Sequence, residues 1–204
     1  MCIHQATRTL LPADERKASI LRAAATAFAR TGFRDTSMED VAAEAGITRL
    51  IVYRHFGSKE DLYRAVLTEV SERLIVRFAE EVGKGDPGFG LRILLEVGRE
   101  NPAGFALLWR HAVHEPEFAE YARDFRRGAA QATAEAATIE VADVLHGWWS
   151  EAAVDVLVTL VLDWLEDGDP ARDDEWRAVV DPSVRAMVSA WSPRAPRGGS
   201  TTSP

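Results

Sequence analysis

At 204 residues, the chain is long enough to form one domain or two small ones around a hydrophobic core. Apolar residues make up 47% of it and charged residues 27%, which is typical of a globular protein and excludes intrinsic disorder of the whole chain. A single cysteine, Cys2, excludes an intramolecular disulfide, and there is no apolar secretion signal, so we expect a cytoplasmic protein. The longest apolar stretch, residues 152–165, is too short to cross a bilayer, and no membrane partner is expected.

The net charge of −8 is divided unevenly along the chain. Residues 1–65 carry ten basic and eight acidic side chains, a net of +2, whereas the remainder carries fourteen and twenty-four, a net of −10. Only the N-terminal part is therefore expected to approach a polyanion such as DNA.

Residues 1–12 lack periodicity and are expected to be disordered. The next segment repeats apolar residues at helical spacing, with Ile20, Ala24 and Phe28 four residues apart, which predicts a helix that Gly32 ends. Phe33 lies just beyond that end and is expected to fold back onto the helix.

Three helix starts follow within residues 37–61. Ser37-x-x-Asp40 has the spacing of a capping box, and Ser58-x-x-Asp61 predicts the start of a third, longer helix. Gly46 can end the first helix in a left-handed conformation, and Thr48 is a candidate N-cap for the second. Two short helices joined by a glycine-containing turn are typical of a helix-turn-helix.

The second short helix, from Arg49 to about Phe56, divides into an apolar side and a polar side. Ile51, Val52 and Phe56 are expected to face the first helix. The opposite side presents hydroxyl, guanidinium and phenol groups, which suit contacts with phosphates and base edges. An ordinary helical hairpin with a solvated polar side remains the alternative.

The long helix from Lys59 is expected to end near Glu81, before a glycine-rich linker over residues 83–90. Asp86-Pro87 and Asn101-Pro102 each predict an N-cap followed by proline at the first helical position. Pro116 is expected to end the second of these helices. A further helix carries an apolar stripe from Phe118 to Ile139.

Residues 152–166 form the most apolar predicted helix, with one narrow polar stripe at Glu151, Asp155, Thr159 and Asp163. A helix that is apolar on so much of its surface must be buried on two sides, so we expect one side to meet a second subunit. A buried strand is the alternative for this β-branched run. The last helix carries a stripe from Trp176 to Trp191, with a kink or restart expected at Pro182, before a disordered tail at 192–204.

Three stretches together resemble the DNA-binding domain of tetracycline-repressor-like (TetR family) regulators: Ala45-Gly46-Ile47-Thr48, Tyr53-Arg54-His55-Phe56 and Lys59-Glu60-Asp61-Leu62. The resemblance is specific over about residues 14–65. One departure is that Leu50 stands where the family usually has glycine.

The resemblance implies an all-α protein, with a three-helix helix-turn-helix DNA-binding domain at 13–60 and a helical ligand-binding and dimerisation domain at 61–191. It implies a homodimer that represses transcription from a palindromic operator in double-stranded DNA until a small apolar or amphipathic inducer releases it. Phosphate contacts are expected from Thr36, Ser37, Tyr53, His55 and Lys59. Base-edge contacts are expected from Thr48, Arg49, Leu50 and Tyr53.

An inducer site is expected among aromatic residues of the second domain: Phe105, Trp109, His114, Tyr121 and Phe125. The alternative is that these residues are simply core.

Two other functions remain open. The chain could be a helical dimer that has lost DNA binding, since Leu50 alters the recognition helix. It could instead be a small helical enzyme or metal protein that uses His111 and His114, although a zinc site needs three or four ligands. No nucleophile-elbow, Walker A or dinucleotide-binding pattern occurs, so we expect no catalysis, cofactor or metal.

Overall fold

A computed structural model describes residues 12–136 and 143–190. Every regular element in these two ranges is helical, which confirms the predicted all-α class. None of the helices in them is long and apolar enough to cross a membrane. The segments predicted to be disordered, 1–12 and 192–204, lie outside the described residues except for Pro12. Cys2, Ile139 and Trp191 also lie outside them.

The first three helices form a small unit: α1 (Ala13–Asp35), α2 (Met38–Glu44) and α3 (Arg49–His55). Helix α1 is interrupted at Gly32, whose φ of 84° is a left-handed conformation that glycine adopts without strain. The helix therefore changes direction at the predicted residue but continues for three more. Phe33 does fold back as predicted, with its ring centroid 6.0 Å from that of Phe28. Buried residues from all three helices form the core, among them Ile20, Ala24, Val41, Ala42 and Val52.

Helix α4 (Lys59–Glu81) begins and ends where the sequence predicts. The Ser58 hydroxyl accepts a hydrogen bond from the backbone N–H of Asp61 at 3.0 Å, as its capping pattern predicts. The helix packs against α1 at one end and against α5 (Phe89–Glu100) at the other. Because α4 belongs to both halves of the molecule, any tilt of this helix moves one half relative to the other.

The start of α5 corrects the prediction that Asp86 and Pro87 open this helix. Its N-cap is Gly88, because the Asp86 carboxylate accepts the Gly88 N–H at 2.9 Å and so stabilises a separate turn first. The next helix, α6 (Pro102–Ala106), does begin at the predicted Asn101 cap, with 2.9 Å between Asn101 Oδ1 and the Gly104 nitrogen. It continues as a π-helical turn over Leu107–His111 and a 3₁₀ turn over Ala112–His114.

Three long helices complete the described chain: α7 (Ala119–Ala136), α8 (Asp143–Asp167) and α9 (Asp173–Ala190). Helix α8 begins nine residues before the predicted start at Ala152, and it excludes the strand considered for this run. The predicted polar stripe of α8 is exposed, whereas Val154, Val158 and Val161 are buried. Helix α9 runs through Pro182 without a restart.

A cluster of side chains joins α5, α8 and α9 at one corner. The rings of Trp164 and Trp176 stack 5.4 Å apart, and Trp164 Nε1 donates to Asp173 Oδ1 at 2.6 Å. Arg99 donates two further hydrogen bonds to the Asp173 carboxylate, which lower its pKa. These contacts fix the last two helices relative to α5.

Candidate nucleic-acid interface and ligand cavity

Helix α2 is held at its start by a complete capping box. Ser37 Oγ accepts from the Asp40 N–H at 3.1 Å, while Asp40 Oδ2 accepts from the Ser37 N–H at 2.8 Å. The hydrogen bonds that the Ser37 hydroxyl and the Ser37 backbone N–H donate to the Asp40 carboxylate lower the pKa of Asp40. Gly46, with φ of 64°, then ends the turn and directs the chain into α3.

Helix α3 packs on the core through Val52, with Phe56 just after it, and turns its other side to solvent. That exposed side consists of Thr48, Arg49, Leu50, Tyr53 and Arg54. Thr48 is the N-cap residue as predicted, but its hydroxyl makes no capping hydrogen bond. Two cations, a phenol and a hydroxyl therefore surround one exposed leucine.

Arg49 is held in place by two neighbours. Its Nη1 donates to the Glu39 carboxylate on α2, and its Nη2 donates to the Tyr53 hydroxyl at 3.2 Å. Its guanidinium carbon also lies 5.0 Å from the centre of the Tyr53 ring. The bond to Tyr53 and the charge of Glu39 raise the pKa of Arg49. The sequence gives no local signal for Glu39, because the pair forms only when α2 and α3 pack.

Two residues expected to contact phosphates have other partners. Thr36 is 2% exposed, and its hydroxyl donates to the Gly32 carbonyl at 2.6 Å, so it has no surface for a phosphate. Lys59 Nζ donates to the carbonyls of Phe33 and Arg34 at 2.8 and 3.1 Å. These bonds hold the end of α1 against the start of α4. The burial of Thr36 argues against its assignment to phosphate binding, and the assignment of Lys59 stays a prediction.

The remaining predicted phosphate contacts lie nearer the surface. Ser37 is half-buried, and its Oγ also donates to Asp40 Oδ2 at 2.6 Å. His55 is half-buried, with its ring 6.4 Å from that of Phe56. Tyr53 is exposed on α3.

A cavity of about 510 Å³ lies among α4, α5, the π-helical turn, α7 and α8. This volume is in the range of small-molecule sites. Its lining is apolar apart from Asp124 and Thr133: Leu74, Ile75, Phe78, Ala79, Gly90, Ile93, Leu94, Trp109, Phe125, Gly128, Ala129, Ala132, Val154 and Leu157. A Cβ atom added to Gly90 or Gly128 would meet nothing within 4 Å, so the missing side chains leave this space open.

Two of the five predicted ligand residues line this cavity, Trp109 and Phe125, with their ring centroids 5.2 Å apart. Phe105 is fully buried behind Trp109, with their ring centroids 6.2 Å apart. His114 is exposed, and Tyr121 shares a hydrogen bond of 2.7 Å with Ser71 on α4. These three are therefore not lining residues, and the small residues that line the cavity were not among the predicted ligand residues.

Aromatic contacts connect α7 with the N-terminal unit. Phe118, just before α7, lies 5.0 Å from the Phe33 ring and 4.4 Å from the Tyr63 ring, centroid to centroid. Burial raises the pKa of Tyr63. The residue that leads into α7, a helix that lines the cavity, thus also contacts α1 and α4.

His111 and His114 belong to the irregular turns between α6 and α7. Within residues 12–136 and 143–190, no three histidine, cysteine, aspartate or glutamate side chains are grouped as metal ligands. The structure therefore adds no third ligand to this pair.

Comparison with known proteins finds related sequences for the N-terminal part of the chain. Residues 20–66 match the sequence profile described as bacterial regulatory proteins, tetR family. The HTH-type transcriptional activator FasR of Mycolicibacterium smegmatis is 38% identical over 65 residues, which are 32% of this chain and 30% of FasR. The HTH-type transcriptional regulator TtgR of Pseudomonas putida is 36% identical over 96 residues, 46% of each chain.

The match to these curated relatives thus spans less than half of their length. Beyond it, the likeness is one of fold. A TetR-like transcriptional regulator from Rhodococcus sp. RHA1 superposes with a TM-score of 0.70 at 20% identity, over 88% of this chain and 99% of the other. Residues 20–66 therefore carry the sequence profile of the tetR family of bacterial regulatory proteins, and the second helical unit shares the fold of a TetR-like regulator.

Proposed function

We propose that the protein is a cytoplasmic, ligand-responsive transcriptional regulator that binds a palindromic operator as a homodimer. The observation that carries this proposal is the exposed side of α3, where Arg49, Tyr53 and Arg54 remain at the surface around a short helix braced by α2. Donor groups on a helix that is supported from behind suit the major groove of DNA. Repression is the expected mode, because an operator-bound dimer can occlude a promoter.

The exposed surfaces of α8 and α9 are an argument for the proposed homodimer. The outer surface of α9 carries exposed small and apolar residues at Ala178, Val179, Pro182 and Ala186. Half-buried Val156 and Leu160 on α8 lie beside the exposed polar stripe. Small side chains let helices of two subunits approach closely, so this surface suits packing against its own copy.

The cavity supports a small apolar or amphipathic ligand. Among the described residues that line it there is no lysine, arginine or histidine to pair with an anionic group. Asp124 is paired with Arg127 at 3.3 Å, and Thr133 already donates its hydroxyl to the Ala129 carbonyl at 2.8 Å, so little polar capacity remains. The ligand is therefore expected to be bound mainly by apolar burial.

Selection of DNA from a random pool tests the DNA-binding part of the proposal. Purified protein should enrich a sequence with two inverted half-sites, and that sequence should compete better than scrambled DNA in a fluorescence anisotropy assay. Enrichment of no sequence would instead support a helical dimer without DNA binding.

The ligand part is tested by filling the cavity. Gly128→Leu places a large side chain where a Cβ atom meets open space, so it should abolish binding of a neutral apolar probe such as Nile red. Gln131→Leu adds the same side chain to an exposed position of α7 that does not line the cavity, and it should leave probe binding unchanged. Equal binding by both variants would remove the cavity as the ligand site.

A further inference from the structure

Leu50 is the most exposed large apolar residue of the described chain, at 71%. It is the second residue of α3, and it lies outside the set of apolar residues that form the core or pack against it, to which its neighbours Ile51 and Val52 belong. Folding of the monomer therefore gives no reason for a leucine at this position.

The surroundings of Leu50 are polar and held in position. Tyr53 and Arg54 follow it by three and four residues, so they lie on the same side of the helix. Arg49 precedes it and is fixed by Glu39 and by the Tyr53 hydroxyl. A single apolar side chain thus projects from a surface that otherwise offers hydrogen-bond donors.

The base edges of the major groove offer one apolar group in unmodified DNA, the C5-methyl of thymine. Burying Leu50 against that methyl removes apolar surface of both partners from water. We infer that Leu50 is a specificity-determining residue that recognises a thymine methyl in each half-site of the operator. This inference rests on the proposed DNA-binding function.

Isolated exposed leucines also occur on protein surfaces without a function. The two cases differ in one measurable respect. Only a leucine that contacts a thymine methyl makes affinity depend on that methyl while the hydrogen-bonding groups of the base stay the same.

Replacing thymine by deoxyuridine isolates this dependence, because it removes the methyl and keeps the base pair. In a site selected by the unmodified protein, each thymine would be replaced in turn, and affinity measured by fluorescence anisotropy at fixed salt. We expect one position per half-site where deoxyuridine weakens binding about fourfold, which corresponds to about 0.8 kcal/mol for one buried methyl-sized group. Replacement in both half-sites should weaken binding about 16-fold.

The variant Leu50→Ala should bind the thymine and deoxyuridine forms of that site equally. Its thermal melting curve should match that of the unmodified protein, because Leu50 does not pack on the core. Val76→Ala serves as the matched control: it truncates another exposed apolar side chain, on α4, and should keep the full sensitivity to deoxyuridine.

Three outcomes would overturn the inference. If no thymine in the selected site depends on its methyl, or if Leu50→Ala keeps the dependence, Leu50 does not read thymine, although DNA binding itself stands. If the protein selects no sequence at all, the proposed function fails and the inference fails with it.

Discussion

Ser37 and Thr48 stand at equivalent positions before two successive helices, but only Ser37 caps its helix through the side chain. Ser37→Ala should therefore lower the free energy of unfolding by about 1 kcal/mol, because it leaves the Asp40 N–H without its acceptor. Thr48→Ala should change it much less. Urea denaturation followed by circular dichroism measures the free energy of unfolding of both variants. Equal decreases would show that the two caps do not differ in solution.

Glu69 on α4 should make stability depend on pH. Burial raises its pKa, against the opposing charge of Arg73, and its Oε2 lacks a hydrogen-bond partner. A raised pKa means that the folded state favours the protonated acid, so the ionised form costs stability at neutral pH. Glu69→Gln removes that cost and should raise the melting temperature at pH 7.

The difference in melting temperature between Glu69→Gln and the unmodified protein should shrink as the pH falls through the raised pKa of Glu69. It should vanish below the ordinary pKa of a glutamate. Glu72→Gln, on the exposed side of the same helix, is the control and should show no such trend. A melting-temperature difference in favour of Glu69→Gln that grows towards acid pH would contradict a raised pKa of Glu69.

Helix caps could be predicted from the sequence, whereas hydrogen bonds that form only in the packed structure could not. The capping patterns at Ser37, Ser58 and Asn101 predict three helix starts correctly, because each signal is contained within a few consecutive residues. The hydrogen-bond partners of Thr36 and Lys59 could not be predicted in this way. Their partners lie near the end of α1, and for Lys59 they are more than twenty residues away in the sequence.

At the scale of elements, a row of ion pairs along one side of α4 joins it to α5. Arg73 and Arg77 on this helix pair with Glu96 and Glu100 on α5. Arg92 on α5 reaches back to Glu81, near the end of α4, at 2.7 Å. Partly exposed ion pairs of this kind contribute little each, but together they favour one alignment of the two helices. Motion of α4 is therefore expected to carry α5 with it.

The hydrogen bond between Tyr121 and Ser71 joins α7, which lines the cavity, to α4, which begins next to the DNA-binding helices. On the proposed function, Tyr121→Phe should leave DNA affinity unchanged without ligand and reduce the effect of ligand on DNA binding. Anisotropy titrations with and without a bound ligand measure both quantities.

A double-mutant cycle makes this prediction sharper. Ser71→Ala removes the other end of the same hydrogen bond, so Tyr121→Phe/Ser71→Ala should be no worse than either single variant. If the two substitutions reduced the effect of ligand on DNA affinity additively, Tyr121 and Ser71 would act separately. The hydrogen bond between them would then not connect the cavity to DNA binding.

Helix starts were predicted correctly where a local capping pattern forms, and the start of α5 was missed where a competing local bond forms instead. The Asp86-Pro87 pattern fails because the Asp86 side chain stabilises a turn at Gly88 instead of the helix. The cavity was located only in part, because its lining includes Gly90, Gly128 and several alanines. Small residues are common in any helix, and only the packed structure shows which of them leave space.

At the scale of the whole molecule, DNA affinity should depend steeply on salt. Residues 1–65 are net positive while the remainder carries a net charge of −10, so binding has to rest on a few phosphate contacts near α3. If each subunit neutralises about two or three phosphates, log affinity against log salt should have a slope of roughly −4 to −5 for the dimer. Anisotropy titrations over a range of salt measure the slope, and a value near zero would exclude an electrostatic basis for binding.

The homodimer is the prediction on which the palindromic operator depends. The structure decides which substitutions can test it. Val158 is only 3% exposed within the monomer, so a charge there would unfold the chain whether or not it dimerises. Val179 is 68% exposed, and Ala186, seven residues later, lies on the same side of α9. A charge at either position has little effect on the isolated monomer.

Val179→Glu/Ala186→Glu should therefore produce a folded monomer, because two copies of α9 would bring unpaired carboxylates together at an apolar surface. Analytical ultracentrifugation at micromolar concentration should find the unmodified protein dimeric and this variant monomeric, with an unchanged helical circular dichroism spectrum. The variant should also lose tight binding to the paired half-sites, since only a dimer holds two recognition helices one DNA turn apart, ~34–36 Å. A variant that stays dimeric would place the interface elsewhere. An unmodified protein that is monomeric and still binds one half-site tightly would leave the palindromic operator without a basis.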